Sequence, residues 1–241
     1  MKKLLSLSLV LMITASCTAQ WGKKIKGDGN NVSINRSVGD YDGVALAGWF
    51  DVDLVDGNEG ELTLEGESNL LEYIITEVKD GQLNIKVKKG VNLRPSSWED
   101  GIRITVPVEN IEAVKLSGSG DIVGKTTLKA RNFKTAMSGS GDITLAIECD
   151  ALDTSMSGSG DINLSGSAKD FEVSISGSGD IKAYDLQADN VDATISGSAD
   201  IKVTANKMLK ARVSGSGDIS YRGNPSKVDT KASGSGDITK G

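Results

Sequence analysis

Histidine is absent from the 241 residues, and that one absence removes Ser-His-Asp and Cys-His nucleophilic sites together with the common histidine metal sites. Cysteine is nearly absent. Only Cys17 and Cys149 occur, so no internal disulfide framework forms if Cys17 is modified. Cys149 has no evident base or thiol partner and reads as a small, half-buried filler. Aromatic residues make up 4% of the chain, which argues against a stacking platform for sugars or bases. The net charge is -6 and the lysines are scattered rather than clustered. Phosphate binding needs a dense basic face, so nucleic acid is excluded as a partner.

The first twenty residues join Lys2 and Lys3 to an apolar run from Leu4 to Ile13, followed by Thr14, Ala15, Ser16 and Cys17. The run is too short for a mature span of about 30 Å of hydrocarbon and reads as an export signal. Residues 1–19 are therefore expected to be a signal peptide, with 20–31 a linker. Thr-Ala-Ser-Cys resembles a bacterial lipobox in which Cys17 becomes the lipid-modified first residue. Cleavage after Ala19, leaving Gln20 first, is the alternative. A lipid on Cys17 would be the only membrane attachment.

Against these scarcities stands one abundance. Ser-Gly-Ser-Gly-Asp-Ile begins at Ser117, Ser138, Ser157, Ser176, Ser196, Ser214 and Ser233, with Ala199 as the only departure. Self-similarity at about 20 residues marks a solenoid whose units cannot bury an apolar face alone. Alternating apolar tracks run into each motif, such as Phe133, Thr135 and Met137 or Leu152, Thr154 and Met156. The alternation resumes beyond it at Ile143, Leu145 and Ile147, and at Ile162 and Leu164. Period two means strand, so each unit is expected to hold a strand, a glycine joint, a second strand of about five residues and a return turn. Equivalent strands one coil apart pair only in parallel, which predicts an all-β, right-handed parallel β-helix of about 20 residues per coil over residues 111–241.

The joint has two readings. Gly139 and Gly141 supply positive φ for a corner, or the inner track continues through them where the coil is pinched. Both readings put Ser138, Ser140 and Asp142 outside. Asp121, Asp142, Asp161, Asp180, Asp200, Asp218 and Asp237 then form a ladder. Two charges about 5 Å apart repel by about 0.8 kcal/mol in water and about 3 kcal/mol at an effective dielectric of 20. The ladder needs a compensating partner. Turn amides and serine hydroxyls would provide it if the role is structural, and Ca²⁺ would if the carboxylates form a cation ladder. Lys182 and Lys202, two places after Asp180 and Asp200, supply countercharge without a metal, and no cofactor is expected.

Residues 32–110 lack the motif but keep strand signals from Val32, Val44, Phe50, Leu62, Gln82 and Ile102 onward. Glu67 to Ile75 has a helical face of Leu70, Leu71 and Ile74. This part is expected to form irregular first coils or a separate cap. Trp98, in Arg-Pro-Ser-Ser-Trp-Glu-Asp, is the candidate aromatic ligand contact. Glu99 and Asp100 beside it read as solvated loop charge, and Trp49 with Phe50 as a plug.

The run from Glu65 to Val87 followed by the reiterated hexapeptide resembles the putative auto-transporter adhesin head GIN domain family, over roughly residues 32–240. That resemblance implies a right-handed β-helix in secreted or lipid-anchored proteins of Bacteroidetes-like bacteria, and carries no catalytic residues. Three functions follow from the sequence. The first is a non-enzymatic cell-envelope module whose rigid polar face binds surface glycans or proteins. A β-helix enzyme acting on acidic polysaccharide is the second, although the repeats are uniform and the arginines form no cluster in sequence. The third is a structural protein that self-associates end to end. The expected location is the outer membrane or cell surface through the lipid, or else the periplasm or medium.

Overall fold

The computed structural model describes residues 22–97 and 101–241. The expected signal peptide, Cys17, Trp98, Glu99 and Asp100 lie outside the described residues. The N-terminal part runs through β1 (Lys23–Lys26), β2 (Asn31–Ser37), β3 (Gly43–Gly48), β4 (Asp51–Asp56), β5 (Glu61–Glu67), α1 (Ser68–Leu71), β6 (Ile74–Lys79), β7 (Gln82–Val87), β8 (Val91–Arg94), β9 (Arg103–Val108) and β10 (Ala113–Gly118). The repeats follow as β11 (Ile122–Gly139), β12 (Ile143–Gly158), β13 (Ile162–Ile175), β14 (Ile181–Gly197), β15 (Ile201–Gly215), β16 (Ile219–Arg222), β17 (Lys227–Gly234) and β18 (Ile238–Lys240).

Every pairing from β10 to β18 is parallel and joins equivalent residues of successive coils. The protein is a parallel β-solenoid, as the period-two tracks require. Phe133, Leu152, Phe171, Val191 and Leu209 form one buried column. Ile122, Ile143, Ile162, Ile181, Ile201 and Ile219 form another. Burying each such side chain is worth about 1.5 to 3 kcal/mol, and column stacking repeats that gain once per coil. Thr135 and Thr154 lie in register inside this core, fully buried, with no hydrogen-bond partner for either Oγ1. In the next coil Val173 takes the same place.

The expected return turn is not a break. Each of β11 to β15 is one strand of 14 to 18 residues that bends without losing its ladder. The coil below offers partners even at the bend, so pairing continues through it. Register shifts at Val123/Thr127, Asn163/Ser165 and Ala183/Gln187 absorb the uneven spacing of the repeats.

The regular ladder is also interrupted at the glycine joint, and there both readings of glycine apply. The first glycine has φ of 141° at Gly118, 148° at Gly139 and 138° at Gly215, a range closed to most side chains. Both positions are pinched, since a β-carbon on Gly139 would stand 2.0 Å from the carbonyl oxygen of Gly118, and the second is also buried. A β-carbon on Gly160 would stand 1.8 Å from the carbonyl oxygen of Gly141, and one on Gly141 2.0 Å from that of Gly120. Ala199 holds this second position in one coil, and contacts stretch around it. The Ser198 amide reaches the Gly177 carbonyl at 3.1 Å, against 2.8 Å for Ser140 to Gly118.

The N-terminal strands extend the same stack in an order unlike that of the sequence. β3 lies between β10 and β7, and β4 between β11 and β9, all in parallel. The coil made of β7 and β9 is thus laid beneath the coil made of β3 and β4, although it comes later in the chain. Antiparallel strands close that end: β6 on β7, and β2 on β5, which also pairs β9. The helix expected over Glu67 to Ile75 is one turn, α1, because Ile74 already enters β6. Lys23–Lys26, in the expected linker, pair with Val91–Arg94. Buried Glu67 accepts the amides of Gly29 and Ser96, at 2.7 Å for the latter, and so ties this small sheet to the body.

Thr154→Val should raise stability by about 1 kcal/mol in urea unfolding, since it removes a buried, unpaired hydroxyl. Gly160→Ala should cost about 1–3 kcal/mol through overpacking, whereas Ala199→Gly should leave the midpoint unchanged or raise it. Equal, small effects of the two glycine-site changes would show that the joints are not closely stacked.

Candidate functional surface

The joint residues set the chemistry of the outer face. With the regular ladder interrupted, the aspartate amide of each joint would lack an acceptor. The carboxylate one coil earlier provides it. Asp142 N–H donates to Asp121 Oδ1 at 2.9 Å, Asp161 to Asp142 at 2.8 Å, Asp218 to Asp200 at 2.9 Å and Asp237 to Asp218 at 2.8 Å. The rungs from Asp180 to Asp161 and from Asp200 to Asp180 measure 3.2 Å and 3.3 Å. The longest stands beside Ala199. Backbone bonds run the other way, with Ile143 N–H donating to the Asp161 carbonyl at 2.9 Å. Each ladder carboxylate up to Asp218 is therefore an acceptor for the coil above, and the amide dipoles offset the repulsion along the column.

An eighth joint, which lacks the hexapeptide, starts the ladder. Asp121 N–H donates to Asp51 Oδ1 at 3.2 Å, and Ala47 and Gly48 pair with Ser117 and Gly118. Ala47-Gly48-Trp49-Phe50-Asp51-Val52 is thus a degenerate copy with Phe50 at the pinched position. The coil beneath it, made of β7 and β9, has no copy of the hexapeptide between Val87 and Arg103. Phe50 fills the space, fully buried, with Trp49 edge-on at 6.0 Å. Asp51 directly before the apolar alternation of Val52 and Leu54 was the available signal.

Lysines add countercharge. Lys182 Nζ reaches Asp161 Oδ2 at 2.5 Å, and its hydrogen bond to that carboxylate raises the Lys182 pKa. Pairs between successive coils recur elsewhere, as in Lys134 with Asp153 at 2.9 Å and Lys210 with Asp192 at 2.7 Å. All are well exposed, so each contributes less than about 1 kcal/mol. Among the described residues no group of three or more Asp, Glu, Cys or His is arranged to hold a metal. Cys149 is half-buried, and burial together with the charge of Asp150 pushes its thiol up to about 11, leaving it protonated at neutral pH.

Two open grooves lie on the outer face. One, of about 440 Å³, is lined by Thr144, Asn163, Lys182, Lys202, Tyr184 and neighbours. The first four stand in register, one from each of four successive coils. Arg222 stacks 4.0 Å from the centre of the Tyr184 ring. The other, also about 440 Å³, is acidic, with Glu112, Asp153, Asp170 and Glu172 against Lys134.

A family profile described as putative auto-transporter adhesin, head GIN domain, matches residues 40–225. The chain belongs to this family. Solved structures agree in fold. A protein from Parabacteroides distasonis described as a putative lipid binding protein is 28% identical, with TM-score 0.75 over 91% of this chain and 100% of its own. A putative adhesin from the same species is 26% identical, TM-score 0.72, over 91% and 100%. A putative adhesin from Bacteroides fragilis is 23% identical, TM-score 0.83, over 90% and 99%. No curated relative matches the chain.

Asp142→Ala, which orphans the Asp161 amide, should lower stability by about 1 kcal/mol, while Asp142→Asn, which keeps an acceptor oxygen, should cost less than half of that. Equal losses for both in urea unfolding would show that charge, not the amide rung, is what matters.

Proposed function

We propose that this protein is a non-enzymatic adhesion module of the cell envelope, whose solenoid face binds an extended glycan or protein segment on another surface. The groove along Thr144, Asn163, Lys182 and Lys202 carries the reading. It offers hydrogen-bonding side chains at the repeat of one coil, about 4.8 Å, beside the aromatic Tyr184. A long ligand gains from such repetition because each coil adds a similar contact. Its relatives' descriptions as adhesins support a location at the cell surface or outside the cell. No helix among the described residues is long and apolar enough to cross a membrane. Attachment is assigned to a lipid on Cys17, and Trp98 to a second contact on the 88–102 connection. The coil interior is filled by side-chain columns, so the lipid-binding description of one relative is not carried over.

The test is an array of glycans and matrix proteins probed with the exported protein, with and without Ca²⁺. Saturable binding weakened about tenfold by Lys202→Glu or Tyr184→Ala is expected, the loss of one charged or aromatic contact being worth about 1.4 kcal/mol. Binding lost in Trp98→Ala alone would move the contact to the connection. Turnover of an acidic polysaccharide would overturn the non-enzymatic reading.

A further inference from the structure

The two ends of the stack are built differently. At the N-terminal end the last parallel coil is covered by antiparallel β6 and β2. Arg36 of β2 bridges toward β6, donating to the carbonyls of Leu71 at 3.1 Å and Ile74 at 2.5 Å. At the opposite end β17 pairs, among the described residues, with β15 alone, and all eight of its residues are exposed. Its inner track, Val228, Thr230 and Ala232, continues columns that are buried in every coil below. Val228 is 49% exposed, whereas Leu209 beneath it is 0%. Met208 and Val228 are the large apolar side chains left exposed among the described residues, and both lie in the last two coils.

An open parallel edge with an apolar inner track is a template for another strand. Head-to-tail stacking would need a bare coil at the other end, which β2, β6 and Arg36 occupy. A two-fold contact of the edge with its own copy remains. We infer that two copies of this chain pair end to end through β17, antiparallel, with Thr230 facing Thr230 of the second copy. Charge and overlap together select that register, since centring on Val228 would also face Lys227 with Asp229 but would pair only three residues of β17, against seven for Thr230. Centred on Thr230, Asp229 faces Lys231 of the other copy twice, and Val228 faces Ala232 twice. Centring on Asp229 would oppose Asp229 to itself and Lys227 to Lys231, and centring on Lys231 would oppose Lys231 to itself. Half-residue registers would set inner residues against outer ones. In the single chain Lys231 forms no ion pair among the described residues, while Asp229 is held by Arg212. The pairing gives Lys231 its partner and covers the exposed inner track of both copies.

Sedimentation velocity and oxidative cross-linking of the exported protein test this. A dimer at micromolar concentration is expected. Thr230→Cys should form an intermolecular disulfide under mild oxidation, because facing antiparallel residues have Cα atoms about 4.5–5.5 Å apart. Val228→Cys, which faces residue 232, should cross-link far more slowly. Lys231→Glu should weaken the dimer by about tenfold through like charges with an unchanged thermal midpoint. A monomer throughout would overturn the inference. So would a dimer that is indifferent to Lys231→Glu and fails to cross-link through Thr230→Cys.

Discussion

A carbonyl oxygen stands about where a β-carbon would have to be, joint after joint, and the solenoid depends on that close approach. The 1.8–2.0 Å figures at Gly160 and Gly141 mean that coils stack at β-sheet spacing only if the pinched residue has no side chain. Once they are that close, the remaining features follow. Aspartate amides reach the carboxylates below, isoleucines meet isoleucines, and the long strands keep their ladder around the bend. Ala199 and Phe50 mark the limits of the rule. An alanine is accommodated by stretching contacts, and a phenylalanine is admitted where the coil underneath lacks the hexapeptide.

The parallel solenoid was legible because its cause is periodic. Seven copies of one hexapeptide and the alternation of Phe133, Thr135 and Met137 specify register, inner face and outer face together. What escaped reading was set by neighbours distant in sequence. Nothing local at Gln82–Val87 says that it lies under Gly43–Gly48. Ala47–Val52 hid its kinship because Phe50 replaces the second glycine of the hexapeptide. Lys23–Lys26 reads as a linker because its partner, Val91–Arg94, is about 70 residues away. The return turn differs from the expectation in β11 to β15 because bends usually lose hydrogen bonds, whereas here the adjacent coil supplies them. Of the proposed surface, the stacked aspartates and the lysines near them were visible in advance. Thr144 and Asn163, which extend the column of Lys182 and Lys202, were not, since they share no type with the lysines and meet them only through register.

The absence of histidine and the uniformity of the coils bear on function in the same direction. The ladder aspartates up to Asp218 are engaged by amides of adjacent coils, and Asp153, Asp161 and Asp192 by lysines. Repetition suits weak contacts made many times over an extended partner better than one demanding chemical step at one point. That physics fits the adhesin family to which the chain belongs, and it places the interest of the molecule on its outer columns.

The out-of-order coil near the N-terminus has a consequence for biogenesis. β3 and β4 emerge first but rest on β7 and β9, so a chain threading outward from a translocation pore cannot complete its founding layer until about residue 108 has appeared. From β10 onward each layer needs only the one already in place. Assembly is thus expected to begin with a slow, non-local nucleus and continue as fast templated growth toward the C-terminus, which would draw the emerging polypeptide outward and disfavour its return.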